Sequence, residues 1–176
     1  NKGRIVAMDI EKARLDKAKT RFKRAQASDM IECRPIDEKN RKWLRRQKEH
    51  FDVVLADVPC SGSGTWRRNP DMKWRQYGPS IDELTGIQAD ILEKTAKLVK
   101  PGGALVYATC SLFEEENEKQ IENFLQNHPH FALMPLPEIW PKEENTTCPC
   151  EGPYMRLSPA KNKTDGFFAA YLRHKG

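Results

Sequence analysis

A doubly wound α/β sheet is the fold this sequence predicts. Short β-branched or apolar runs alternate with helix-patterned segments, several runs end in an acid or a Gly/Pro turn, and no internal repeat or low-complexity stretch breaks the alternation. The 176 residues suffice for one domain with its own core, and 38% hydrophobic with 9% aromatic residues is a globular composition. No stretch approaches the roughly 18 apolar residues of a membrane span, and the first residues lack a signal-peptide core. The chain is therefore expected to be soluble and cytoplasmic, without membrane contact, and monomeric.

Arg4 to Ile10 (RIVAMDI) reads as a buried strand ending at Asp9. Glu11 to about Ala27 reads as a basic helix, with Leu15, Ala18, Phe22 and Ala25 at spacings of three and four. Met30 to Ile36 is a second strand leading to Asp37, and Asn40 to Lys48 a short helix with Trp43 and Leu44 turned inward. Phe51 to Ala56 (FDVVLA) reads as a central strand. Ser80 to Val99 is a helix: Ser80-x-x-Glu83 makes a capping box behind Pro79, Leu84, Ile87, Ile91 and Leu98 form one stripe, and Pro101-Gly102-Gly103 ends it. Ala104 to Ala108 is a buried strand. Ser111-x-x-Glu114 then predicts a second capping box, opening an acidic helix to about Gln126. A strand near Phe131 to Met134 and a Pro-rich polar loop from Pro135 to Pro153 follow. Tyr154 to Leu157 and Gly166 to Leu172 are predicted to form an antiparallel pair closing the sheet.

The net charge of +5 is unevenly placed: residues 1 to 50 hold 16 Lys/Arg against 8 Asp/Glu, the remainder 14 against 17. Such a patch favours a polyanion, although solvated helix faces are also Lys-rich. Five cysteines without a secretion signal argue for free thiols in a reducing compartment. Cys148 and Cys150 stand too close for a zinc knuckle and no His follows at finger spacing, so no metal is expected.

An acid at a strand end followed at once by a helix is how Rossmann-like folds hold a ribose, and the preceding βα unit then carries a Gly-rich turn. Only Asn1 to Gly3 precede the first strand, so that strand and Gly-rich loop are expected upstream. The alternative is that Asp9 merely caps the following helix.

The most informative stretch is Asp57-Val58-Pro59-Cys60-Ser61-Gly62-Ser63-Gly64-Thr65, at the carboxyl edge of the sheet where open α/β folds bind ligands. Thr109-Cys110-Ser111 takes the equivalent place after the next strand, and adjacent strands lie roughly 5 Å apart. Two thiols and a carboxylate are thus expected in one crevice. At the mouth of the Ser111-capped helix, Cys110 would feel a dipole that favours its thiolate. Carbon 5 of cytosine is a poor nucleophile until another nucleophile adds at carbon 6 and makes an enamine able to attack a methyl sulfonium. A carboxyl group at N3 would stabilise the ring charge, and a second group must remove the carbon-5 proton. Asp57, Cys60 and Cys110 suit these roles.

DVPCSGSGTWRRNPDMKW, YATCSLFEEENE and RLSPAKNKTDGFFAAYLR resemble the signature segments of the RNA 5-methylcytosine methyltransferases of the Sun/Fmu type, which modify small-subunit ribosomal RNA in bacteria. The resemblance runs from Arg4 to Arg173. It implies a class I S-adenosylmethionine-dependent methyltransferase fold, a Rossmann-like sheet with helices on both faces that lacks here its first strand and Gly-rich loop. It implies an enzyme that methylates cytosine C5 in ribosomal RNA, with Cys110 as nucleophile and Cys60 assisting release; DNA cytosine methyltransferases place the nucleophile in a Pro-Cys motif, so the reverse assignment is the alternative. It also implies S-adenosylmethionine contacts from Asp9, Asp37 and Asp57. Arg14 could reach the ribose or be a solvated helix residue. The family's Gly-rich segment, D-x-x-A-P-G-G-K-T, and its amino-terminal RNA-binding domain have no counterpart in these residues.

Trp66, Arg67, Arg68, Lys73, Trp74 and Arg75 interleave bases and aromatics beside the crevice, which suits phosphate neutralisation and stacking on an unpaired nucleotide. The alternative packs the tryptophans on the sheet edge and leaves the arginines solvated. Arg156 and Asp165 read as an active-site brace or as a hairpin salt bridge. Two other readings compete: a non-catalytic RNA-binding fragment, and a nicotinamide-dependent oxidoreductase, which leaves both cysteine motifs unexplained.

Overall fold

Alternation of apolar runs with amphipathic helices yields two compact units, residues 1–48 and 49–176, in a computed structural model that describes residues 3–74, 78–142 and 147–176. In the first unit, β1 (Ile5–Asp9) and β2 (Ile31–Pro35) pair in parallel from Ile5 opposite Ile31 to Asp9 opposite Pro35. Parallel pairing needs a crossover, supplied by α1 (Lys12–Arg24). Arg21, Lys23 and Arg24 in its last turn suit the negative end of the helix dipole. α2 (Glu38–Arg45) starts at Asp37, whose side chain accepts from the Asn40 N–H at 2.7 Å. β1 is not buried as expected: Ile5 is 52% exposed and the rest of it intermediate, as is β2 throughout.

The second unit contains β3 (Phe51–Asp57), α3 (Ile81–Ala96), β4 (Val99–Thr109), α4 (Glu118–Asn127), β5 (Phe131–Leu133), a short turn α5 (Leu136–Ile139), β6 (Met155–Leu157), a short turn α6 (Pro159–Asn162) and β7 (Phe167–His174). The strand order is β3-β4-β7-β5, with β6 also on β7. β3 and β4 are parallel, and β7 runs antiparallel to β4, β5 and β6. The closing antiparallel pair predicted for Tyr154–Leu157 and Gly166–Leu172 is formed. Leu92, Val99, Leu105, Tyr107, Ile121, Phe124, Phe131, Phe168 and Leu172 build the core. The Ser80–Glu83 capping box starts α3 as predicted.

Three expectations are corrected. β3 is not central: it ends the strand order among the described residues, and Val53 and Leu55 are 60% and 65% exposed. Its apolar stretch from Val53 to Ala56 signals potential burial on both faces but not which strands pair with it. Pro101-Gly102-Gly103 lies inside β4 and does not stop α3, which ends at Ala96; Gly102 takes φ +75° where the β3–β4 register shifts. The acidic helix does not open at Ser111. A 3₁₀ turn (Glu114–Glu116) comes first and α4 begins at Glu118: the Ser111 hydroxyl donates to Glu116 and accepts from the Phe113 N–H at 3.0 Å, and no side chain caps the 3₁₀ turn or α4.

Two glycines join the signature segments. Gly64 N–H donates to the Cys110 carbonyl at 2.9 Å, and Gly166 N–H donates to the Gly64 carbonyl at 2.8 Å. A Cβ on Gly64 would lie 2.4 Å from the Gly166 carbonyl oxygen. With backbone on both sides, Gly64→Ala is expected to cost about 2 kcal/mol in urea denaturation. Gly62→Ala, which meets the mobile end of Met72 and must hold φ +67°, is expected to cost only about 1 kcal/mol. Equal losses for the two variants would show that the Gly64–Gly166 approach is not the tight point.

Candidate active site

The parallel register sets Asp57 opposite Ala108, and the Val58 N–H, donating to the Ala108 carbonyl at 3.1 Å, carries the pairing one residue further. Pro59 and the left-handed Gly62 turn the chain after β3. Cys60 and Cys110 consequently face each other with Sγ atoms 3.3 Å apart, both half-buried. All five cysteines are free thiols.

Their shared hydrogen bond divides the pair. It lowers the Cys110 thiol from 9.0 to about 7 because the Cys60 S–H stabilises the Cys110 thiolate; burial and the charges of Asp57 and Glu116 oppose this. The Cys60 thiol is held far above its ordinary range, first by that bond, then by burial and the charge on Cys110. The partner sulfur, not a helix dipole, thus activates Cys110, since no helix starts at Ser111.

Below the thiols lies a polar network that the sequence reading missed. Glu116 is fully buried and accepts from the Ser61 N–H (2.8 Å), the Ser61 hydroxyl (2.5 Å), the Ser111 hydroxyl and Gln88 Nε2 (3.0 Å). Gln88 Nε2 also donates to the Pro59 carbonyl at 2.9 Å. Asn117 accepts from the Thr109 hydroxyl at 2.6 Å and donates to the Ser111 carbonyl at 3.0 Å. The Ser63 hydroxyl oxygen accepts from the Leu112 N–H at 2.8 Å. Gln88 was detectable as the one polar residue in the spacing Leu84-Gln88-Leu92 on the buried side of α3. Glu116 was hidden in an acidic run that reads as a solvated helix.

Of the residues chosen for nucleic-acid contact, Trp66 packs edge-on to Phe113 at 6.0 Å with its Nε1 buried. Lys73 Nζ lies 5.8 Å from the Trp66 ring and 5.2 Å from that of Trp74, which is 74% exposed. Arg68 Nε bonds Asp165 at 2.5 Å and Arg67 stands 3.7 Å from the same carboxylate, both arginines exposed. Arg75 lies outside the described residues. Arg156 and Asp165 do not pair in a hairpin salt bridge. Arg156 holds Glu118 and, at 3.1 Å, the Leu112 carbonyl, so each reaches a different signature segment.

In the other unit, Asp9 and Asp37 stand at the ends of two adjacent parallel strands, where the Ile36 N–H donates to the Asp9 carbonyl at 2.8 Å. One Asp9 oxygen accepts from the Glu11 N–H at 2.7 Å. Arg14 bonds Glu11 at 2.8 Å and lies 3.8 Å from Asp9. Cys148 and Cys150 make local bonds, to the Cys150 carbonyl and the Arg156 N–H respectively. Among the described residues no group of three or more His, Cys, Asp or Glu is placed to hold a metal, and no helix is long and apolar enough to cross a membrane.

Parallel strands with two facing thiols beyond their carboxyl ends and a closing antiparallel strand make this a class I methyltransferase fold. The solved structure of PH0851 matches it with TM-score 0.78 at 40% identity, over 97% of this chain and 37% of its own. NSun6 from Pyrococcus horikoshii matches with TM-score 0.70 at 25% identity, over 99% and 42%. A family model described as 16S rRNA methyltransferase RsmB/F matches residues 1–173, and the chain belongs to that family. Ribosomal RNA small subunit methyltransferase B of Pasteurella multocida is 37% identical over 172 residues, 96% of this chain and 36% of that relative. The chain thus spans little more than a third of the relative's length, and the Sun/Fmu resemblance carried by the three segments holds.

Alkylation of Cys110 by iodoacetamide is expected to be half-maximal near pH 7, the value to which its partner lowers it. In Cys60→Ala, with the bonded S–H gone and the charges of Asp57 and Glu116 left, the midpoint is expected to move upward, towards or beyond the ordinary thiol value of about 8.5. An unchanged midpoint would remove Cys60 as the activating group.

Proposed function

We propose that the chain forms the base-handling part of an S-adenosylmethionine-dependent ribosomal RNA cytosine-C5 methyltransferase. The observation that carries this reading is the pair of unlike thiols 3.3 Å apart at the ends of adjacent parallel strands. Cys110, the readily ionised thiol, adds to carbon 6 of the cytosine. Asp57 stands beside the pair, and as a carboxylic acid it would give its proton to N3, neutralising the negative charge that builds there as Cys110 adds. The resulting enamine makes carbon 5 nucleophilic.

Cys60 suits the second half of the reaction. Before attack, its proton is held by the hydrogen bond to Cys110 and by the charge on that sulfur. Once Cys110 sulfur is bonded to carbon 6, both restraints disappear and only burial remains. Cys60 can then ionise and take the carbon-5 proton, releasing Cys110 by elimination. The alternative, Cys60 as attacker, would use the thiol whose charged form the site disfavours.

S-adenosylmethionine supplies the methyl group as a sulfonium. Asp9 fits a ribose: one carboxylate oxygen is committed to the Glu11 N–H and the other can accept from a hydroxyl. Asp37 caps α2 through one oxygen and keeps the second for the adenine side. Arg14, paired with Glu11, is better suited to steady Asp9 than to reach the ligand. NSun6 from P. horikoshii, related at 25% identity, was solved with SFG. Arg67, Arg68, Lys73, Trp66 and the exposed Trp74 supply cations and ring faces for RNA beside the thiols.

RNA carrying 5-fluorocytosine should trap the protein covalently, and Cys110→Ala should abolish trapping; undiminished trapping in that variant overturns the assignment. Cys60→Ala should instead accumulate the adduct on ordinary RNA. Loss of trapping in Cys60→Ala with retention in Cys110→Ala would reverse the two roles. A non-catalytic RNA-binding module would bind RNA in a salt-sensitive way and give no heat with S-adenosylmethionine.

A further inference from the structure

None of the steps above uses Glu116, although it is 0% exposed and among the most elaborately bonded side chains described. A carboxylate offers about four acceptor positions, and its four bonds come from three different parts of the chain. Ser61, next to Cys60, gives an N–H and a hydroxyl; Ser111, next to Cys110, gives a hydroxyl; Gln88 on α3 gives an amide that also holds the Pro59 carbonyl. Burying such a group is costly unless donors surround it. Here every donor is neutral and two of the three residues adjoin a thiol. The Glu116 backbone is itself pinned from the core, where the buried Tyr107 hydroxyl donates to its carbonyl at 2.6 Å.

We infer that Glu116 is a positioning residue for the two-thiol reaction, clamping Ser61 and Ser111 so that the sulfurs of Cys60 and Cys110 stay within hydrogen-bonding distance. This rests on the roles proposed above for the thiols, but its two thiol readouts need neither RNA nor methyl donor. The side chain has two opposed effects on Cys110. Its charge holds the thiol up, whereas the Cys60 bond it maintains, the larger influence, brings the thiol down. A clamp and a bystander charge therefore predict opposite signs on neutralisation.

Glu116→Gln keeps the shape but leaves one oxygen to accept and an NH₂ facing donors. If Glu116 is a clamp, the sulfurs separate and the Cys110 alkylation midpoint rises from near 7 towards the ordinary value of about 8.5. Diamide, whose azo bond takes up the two protons and two electrons released as the thiols join, is expected to link Cys60 to Cys110 at least about tenfold more slowly, as read by mass spectrometry. In the trapping assay the same variant should lose roughly 100-fold in rate with RNA affinity kept, the scale of a 1 Å misplacement. Glu116→Asp should recover part of the linking rate. Ser61→Ala removes one of the four bonds to Glu116, together with the Ser61 hydroxyl's contacts to Ser111 and Ser63, and should shift both thiol readouts in the same direction by less, a test that stands even if Glu116→Gln does not fold. An unchanged or lowered midpoint with an unchanged linking rate, in either folded variant, overturns the inference. Failure of the unsubstituted protein to trap, with the thiol readouts as expected, would refute the proposed reaction and leave the clamp standing.

Discussion

The parallel register of β3 and β4, with Asp57 opposite Ala108, decides where the chemistry can be. Parallel neighbours carry their carboxyl ends to the same edge, so a cysteine three residues beyond one partner and another two residues beyond the other arrive together. Two loops after two strands could still diverge. They do not, because Gly64 donates to the Cys110 carbonyl and accepts from Gly166, binding both loops to the start of β7. β7 in turn lies antiparallel against β4, with Thr109 opposite Phe168 and the buried Phe168 ring at the base. The thiols are therefore a consequence of strand order and of one close backbone approach that glycine alone permits.

Convergence by itself would bring together two equivalent thiols. Their inequality comes from the second layer of contacts. Cys110 receives the hydrogen bond and Cys60 gives it, while burial first and then the negative charges of Asp57 and Glu116 oppose ionisation of Cys110. A site that both opposes and rescues one thiolate is sensitive to the distance between its sulfurs. That sensitivity accounts for the density of buried bonds among Ser61, Ser63, Ser111, Glu116 and Asn117, where every hydroxyl is engaged. Removing a member leaves a buried partner unsatisfied, at roughly 1–3 kcal/mol.

Much of this was legible in the residues and some was not, for reasons specific to each place. β1, β4, β5 and β7 were readable as short runs rich in apolar or β-branched residues and too short for helices, whereas β2, with Glu32, Arg34 and Pro35, was readable chiefly from its place between two helical segments. The meeting of Cys60 and Cys110 was readable because segments that follow adjacent parallel strands arrive at the same edge of the sheet. The start of α4 was misread because Ser111-x-x-Glu114 has the spacing of a capping box, and local pattern cannot show that a carboxylate two residues later claims the serine. Pro101-Gly102-Gly103 was misread likewise: the same residues that stop a helix also permit a bulge, and the register of β3 against β4 decides between them. Glu116 escaped because its role depends on Ser61, 55 residues earlier.

Charge is the remaining constraint on how RNA could be held. The basic excess lies within residues 1 to 50, whereas the rest of the chain carries 14 Lys/Arg against 17 Asp/Glu. Net attraction of a polyanion by the thiol-bearing unit is accordingly weak, and local arrangement has to replace it. Arg67 and Arg68 share the single carboxylate of Asp165, which leaves a surplus cation on an exposed loop directly after the Cys60 turn. Lys73 sits over the rings of Trp66 and Trp74, its charge spread over two aromatic faces and unpaired with an acid in either contact. Cations held this way stay available to phosphate, and the Trp74 face stays available to a base. The RNA contact proposed for this edge would thus rest on a few placed groups near the thiols, with short-range selectivity, and not on a long-range field.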